Sequence, residues 1–152
     1  MTYTELLAQS TAELQDASQA VDDRLTNVCR LLRVQVSHYD WVGFYFKNGD
    51  KPELKLRAFS GEPTDHVIIP FGKGICGQVA ESNQSLNITD VSGEGNYIAC
   101  GIDVKSELVV PLFSDGENIG QIDIDSHSKS AFSTQDEEFL TAINQEVSKI
   151  LN

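Results

Sequence analysis

Residues 106–126 read SELVVPLFSDGENIGQIDIDS: two apolar runs, 108–113 and 119–124, around the turn Ser114-Asp115-Gly116-Glu117. Asp-Gly between two β-rich runs is a strong local signal for a hairpin, so this stretch predicts an antiparallel strand pair. Downstream, Ser133 or Thr134 caps a helix whose apolar face runs through Phe139, Leu140, Ile143, Val147, Ile150 and Leu151. Upstream, the aromatic run 41–46 and the alternating run 54–59 flank Asn48-Gly49-Asp50, which predicts a second hairpin. Between residues 3 and 36, Leu6, Leu7, Leu14, Ala17, Val21, Leu25, Val28, Leu31 and Leu32 recur at helical spacing, and a break near Ser18 or Asp22 divides them into two helices. A short extended piece in 63–70, a short helix over 75–81, a short strand at 85–88 and a long polar connection over 90–103 fill the middle. The expected fold class is α+β, a mostly antiparallel central sheet with the N- and C-terminal helices packed together on one face.

At 152 residues the chain suits one domain over 1–152, with the helices of 1–36 leading into a core. Hydrophobic residues at 40% and charged residues at 22% are the balance of a soluble globular protein. No apolar run is long enough to cross a bilayer, and the first residues lack a basic-then-apolar signal, so a cytoplasmic location away from membranes is expected. The formal net charge of −12 excludes nucleic acid as a partner, because phosphate binding requires a basic footprint. Cys29, Cys76 and Cys100 form an odd set without a CxxC pair, so neither a disulfide framework nor a metal site is expected. No cofactor is expected either.

The chemistry concentrates in 76–126. Cys100 lies in the polar connection between Ile98-Ala99 and Gly101, where a thiol can act as a nucleophile; packing as a small hydrophobe is the ordinary alternative. Cys76 stands between Ile75 and Gly77 at a helix entrance, where backbone N–H groups favour a thiolate, unless it merely packs beside glycine. Cys29 lies one turn from Leu25 and Leu32 and reads as packing. Asp123 and Asp125 are two apart on one strand and share a face, and Glu107 begins the preceding strand. Three acids gathered there read as a partly buried pocket for a cationic group, against the alternative of a solvated sheet face. Trp41 and Tyr45, four apart, also share a face and could form an aromatic wall for a methyl or sulfonium-like group, or simply be core. Gly72-Lys73-Gly74 is too short for a phosphate loop.

In order along the chain, Trp41-Val42-Gly43-Phe44-Tyr45, Gly72-Lys73-Gly74-Ile75-Cys76-Gly77, Asp90-Val91, Ile98-Ala99-Cys100, Ser106-Glu107-Leu108-Val109-Val110-Pro111-Leu112 and Ile119-Gly120 through Ser126 resemble the free methionine-(R)-sulfoxide reductases, a GAF-domain family. The likeness spans residues 38–140. It implies a six-stranded antiparallel sheet, a homodimer, and reduction of free methionine sulfoxide with a thioredoxin-type protein or a small thiol as reductant. It assigns the sulfoxide-attacking role to Cys100, and it gives Glu107, Asp123 and Asp125 the substrate's amino group and sulfoxide oxygen. Trp41 and Tyr45 match the family's aromatic pocket. Two positions depart from the pattern. The stretch 61–66 lacks the family's resolving cysteine, and Gly101 replaces the aspartate that follows the attacking cysteine. Regeneration then falls to Cys76 as a possible resolving thiol or to an external thiol. A non-catalytic GAF module that binds a small ligand is the alternative.

Overall fold

The computed structural model describes residues 1–97 and 103–151. Helices α1 (Tyr3–Leu14) and α2 (Val21–Gln35) precede strands β1 (Trp41–Lys47), β2 (Glu53–Ser60) and β3 (Ile68–Pro70). Helix α3 (Gly74–Ser82), strand β4 (Leu86–Ile88) and a 3₁₀ turn (Val91–Gly93) lead to β5 (Ser106–Ser114), β6 (Glu117–Ser126) and α4 (Thr134–Ile150). The helix ends follow local chemistry. Thr2 with Glu5, and Ser133 with Asp136, form capping boxes that satisfy the first N–H groups of α1 and α4. Asn83, with φ of 62°, closes α3 in the left-handed conformation.

Six strands form one sheet in the order β3-β2-β1-β6-β5-β4, every neighbouring pair antiparallel. The β5–β6 turn has positive φ at both Asp115 (53°) and Gly116 (79°), the conformation that matches the twist of a two-residue hairpin. Alternation then divides the side chains between two faces. On one face Val42, Phe44, Leu108, Val110, Leu112, Ile122 and Ile124 pack with Leu6, Leu14, Leu25, Val28 and Leu32 of α1 and α2 and with Leu140, Ile143 and Val147 of α4. Each such buried side chain contributes about 1.5–3 kcal/mol, so this layer holds the fold together. The terminal helices therefore share one face, as expected from the sequence, and Cys29 is fully buried among them with its thiol pushed far up by burial. Asp136 ties this layer to the N-terminus: its carboxylate accepts hydrogen bonds from Tyr3, from Tyr39 Oη at 2.7 Å and from the His38 ring at 3.0 Å.

The register of β5 on β6 slips by one residue between Leu112 and Phe113: Phe113 pairs with Asn118, whereas Leu112 pairs with Gly120. This bulge is built. Asn118 Oδ1 accepts from the Gly120 N–H at 3.2 Å, and Asn118 Nδ2 donates to Asn83 Oδ1 at 3.1 Å. A Cβ on Gly120 would stand 2.4 Å from the Tyr45 carbonyl oxygen, so glycine is needed where β6 passes β1.

Candidate active site

The second face of the sheet carries the site. Trp41 pairs with Asp125, which pairs with Glu107; Gly43 pairs with Asp123, which pairs with Val109. Residues directly opposite in an antiparallel ladder point to the same side, so both aromatic residues and all three acids lie on one surface. Helix α3 covers it. Ile75, Cys76 and Val79 pack with Trp41, Tyr45, Leu54, Ile69 and Val109 into a second apolar cluster.

Into this cluster the three acids are sunk: Glu107 is 2% exposed, Asp123 0% and Asp125 1%. The solvated sheet face is thereby excluded. Carboxyls so placed cannot all ionise. Burial first, then the charges of Asp123 and Asp125, push Glu107 well above the usual carboxylate range. The Cys76 thiol points at the same group, donating to Asp123 Oδ2 at 3.3 Å and lying 4.0 Å from Glu107 Oε2. Ligand atoms of Cys76, Glu107 and Asp123 lie within 4.8 Å of one another, a grouping that could also receive a metal ion. Its shared property is demand for a cation or a proton. Cys76 thus belongs to the site, though its sulfur faces carboxyl groups as well as sitting at a helix entrance.

Trp41 and Tyr45 are 3% and 0% exposed and stand beside the acids. Their polar ends are occupied: Trp41 Nε1 donates to the Glu62 carbonyl at 2.9 Å and Tyr45 Oη to the His66 carbonyl at 2.8 Å. They therefore anchor the 61–66 stretch to the sheet. The Trp41 ring stacks on Phe59, with centroids 5.8 Å apart, and lies over Gly43, where a Cβ would stand 2.3 Å from Trp41 Cη2. Gly43→Ala should consequently destabilise the protein by ~1–3 kcal/mol through overpacking, read as a lower denaturant midpoint. An unchanged midpoint would mean that the indole shifts freely.

Cys100 and Gly101 lie outside the described residues. On the near side Tyr97 packs on the Cys76 cluster, and beyond them the chain enters β5 at Ser106, immediately before Glu107. Two contributors escaped the sequence reading. Gln121, fully buried, donates from Nε2 to the Cys76 carbonyl at 3.1 Å and so fixes α3 over the sheet. It heads the alternation Gln121, Asp123, Asp125, which is the signal that could have found it. Asn96 joins the thiol-bearing connection to α3 through side-chain bonds that no periodicity marks.

A GAF-domain family model matches residues 20–151. Protein YtsP of Bacillus subtilis is 35% identical over 149 residues, 98% of this chain and 90% of the relative. The free methionine-R-sulfoxide reductase of Escherichia coli is 35% identical over 127 residues, 84% of this chain and 75% of the relative. The X-ray structure of free methionine-R-sulfoxide reductase from Neisseria meningitidis, in complex with its substrate, matches with a TM-score of 0.90 at 34% identity, over 97% of this chain and 87% of that one. The chain belongs to the GAF-domain family and, within it, to the free methionine-R-sulfoxide reductases.

Proposed function

We propose that this protein reduces free L-methionine (R)-sulfoxide to methionine, with Cys100 as the attacking thiolate and Glu107 as the proton donor. The observation that carries the reading is Glu107, buried beside Asp123 and Asp125, with burial and their charges raising its carboxyl well above the usual carboxylate range. Asp123 and Asp125 hold the substrate's ammonium group, and Trp41 and Tyr45 form the wall against which its S-methyl end packs. As the Cys100 thiolate attacks the substrate sulfur, Glu107 gives its proton to the sulfoxide oxygen. The S–O bond of the substrate breaks as its protonated oxygen passes to Cys100 Sγ; the substrate sulfur gains, as the thioether, the two electrons that the cysteine sulfur loses, and Cys100 becomes a sulfenic acid with Glu107 ionised. Condensation of that sulfenic acid with a second thiol releases water and forms a disulfide, which an external dithiol then reduces. The resemblance further implies a homodimer, and the cytoplasmic setting expected from the sequence would keep the thiols reduced.

Cys76 is the second thiol of this scheme, since its sulfur already points into the acid cluster. A disulfide with Cys100 requires the two Cα atoms to come within about 7 Å. The test is turnover of free methionine (R)-sulfoxide with dithiothreitol and, separately, with thioredoxin. Cys76→Ser should cut the thioredoxin-supported rate far more than the dithiothreitol-supported one, because a small thiol attacks a sulfenic acid directly whereas thioredoxin prefers a disulfide. Mass spectrometry should find a Cys76–Cys100 bond after oxidation by substrate. Equal rates in wild type and Cys76→Ser with both reductants would assign recycling to an external thiol, and absence of any Cys100 oxidation would make the chain a binding module.

A further inference from the structure

Helix α3, which carries Cys76, begins without a cap of its own: Lys73 makes no side-chain hydrogen bond to it. Its Gly74 N–H is taken instead by Asn96, whose Oδ1 accepts at 2.9 Å from a position 22 residues along the chain. The same carboxamide donates from Nδ2 to the Gly72 carbonyl at 2.8 Å. Gln78 completes the junction, its Nε2 donating to the Gly74 carbonyl at 2.9 Å and to the Asn96 carbonyl at 3.2 Å.

The receiving turn is rigid. Gly72 and Gly74 have φ of 84° and 62°, which favour glycine, and the Gly72 N–H donates to the Gly77 carbonyl at 2.9 Å. A Cβ on Gly77 would meet the Pro70 carbonyl at 2.6 Å, so strand β3, the turn and the first turn of α3 are fitted closely together. Asparagine suits the position because its short amide presents an acceptor and a donor at once. Aspartate keeps the acceptor but sets a carboxylate against the Gly72 carbonyl, and alanine keeps neither.

We infer that Asn96 is a positioning residue for the reaction, pinning the connection that leads to Cys100 onto the start of the helix that carries Cys76. Cys100 is four residues beyond Asn96 in the chain, a contour length of about 14 Å. The inference rests on the catalytic reading of Cys100. Misplacement of a reacting group by about 1 Å can cost on the order of 10²-fold in rate, so a loosened anchor acts on kcat. The acids and the aromatic wall stand on β1, β5 and β6, whereas the Asn96 side chain bonds to Gly72 and Gly74.

Full-length wild type, Asn96→Ala, Asn96→Asp and Gln78→Ala test this. In the dithiothreitol assay Asn96→Ala should lower kcat at least about tenfold with KM within about threefold, and Asn96→Asp and Gln78→Ala should show smaller losses of the same kind. Hydrogen exchange over 72–78 should accelerate at least about tenfold in Asn96→Ala while the sheet stays protected, a readout independent of turnover. A kcat within twofold of wild type, a loss confined to KM, or unchanged exchange over 72–78 would overturn the latch, as would loss of protection in the sheet itself. Should the wild type turn over no sulfoxide, the reaction reading fails by itself. The latch then stands or falls on whether Asn96→Ala changes both the exchange and the rate at which iodoacetamide alkylates Cys100.

Discussion

Cys100→Ser should abolish reduction of free methionine sulfoxide with every reductant, a loss of at least about 10³-fold, or ~4 kcal/mol of transition-state stabilisation. A serine hydroxyl is not ionised at neutral pH and is a poor nucleophile toward sulfur, so neither the attack nor the sulfenic acid that follows can form. The effect should be the same with dithiothreitol and with thioredoxin, which separates Cys100 from Cys76, whose replacement acts on recycling alone. Binding should survive, because the proposed ammonium site and aromatic wall stand on β1, β5 and β6. Calorimetry of Cys100→Ser with the sulfoxide should therefore show an affinity near that of wild type. Residual turnover above about a tenth of wild type would move the attacking role to another group, and Cys76, already beside the acids, would be the candidate.

The sequence carried the two hairpins, the caps of α4 and the shared face of Asp123 and Asp125, because each depends on spacing within a few residues. Asp115-Gly116 could be read as a turn from its dipeptide alone, and period two placed both aspartates on one side. Glu107 is different. Continuing the pairing of Ser114 with Glu117 without a slip would set Glu107 opposite Ile124, on the face packed by α1, α2 and α4. The bulge at Asn118, Ile119 and Gly120 shifts the ladder by one residue and brings Glu107 opposite Asp125. Nothing in the apolar pattern announces that shift; it depends on the Asn118 side chain bonding across to Gly120 and Asn83, contacts made only in the folded chain. Its place at the start of the preceding strand grouped Glu107 with the two aspartates, and the resemblance gave it a role, but periodicity did not fix its face. The direction of the Cys76 sulfur and the Asn96 latch were hidden for the same reason, since both join segments that are more than 20 residues apart.

The acid cluster is also where stability and activity should separate. Three carboxyls and a thiol in an apolar setting cost folding free energy, and burial together with the charges of Asp123 and Asp125 disfavours ionisation of Glu107. Its pKa is raised on folding, so the stability associated with it is present at low pH and is lost as pH rises from the unfolded value through the folded one. Glu107→Gln removes that loss. The amide keeps the shape and a donor N–H, so the variant should be at least as stable as wild type at neutral pH, with a thermal midpoint equal or higher. Activity should move the other way. An amide cannot transfer a proton to the sulfoxide oxygen, so kcat/KM should fall at least about tenfold, ~1.4 kcal/mol or more. Asp125→Asn should lose a comparable amount by weakening the ammonium site, with KM rising. The pH profile identifies the donor: wild-type kcat/KM should decline on the alkaline side as Glu107 ionises, even though thiolate accumulates there, and Glu107→Gln should lack that decline while keeping the acid-side rise from the thiol. Near-wild-type kcat/KM in Glu107→Gln, or an alkaline limb that survives the substitution, would show that the proton comes from elsewhere and would leave the buried acids a purely electrostatic role.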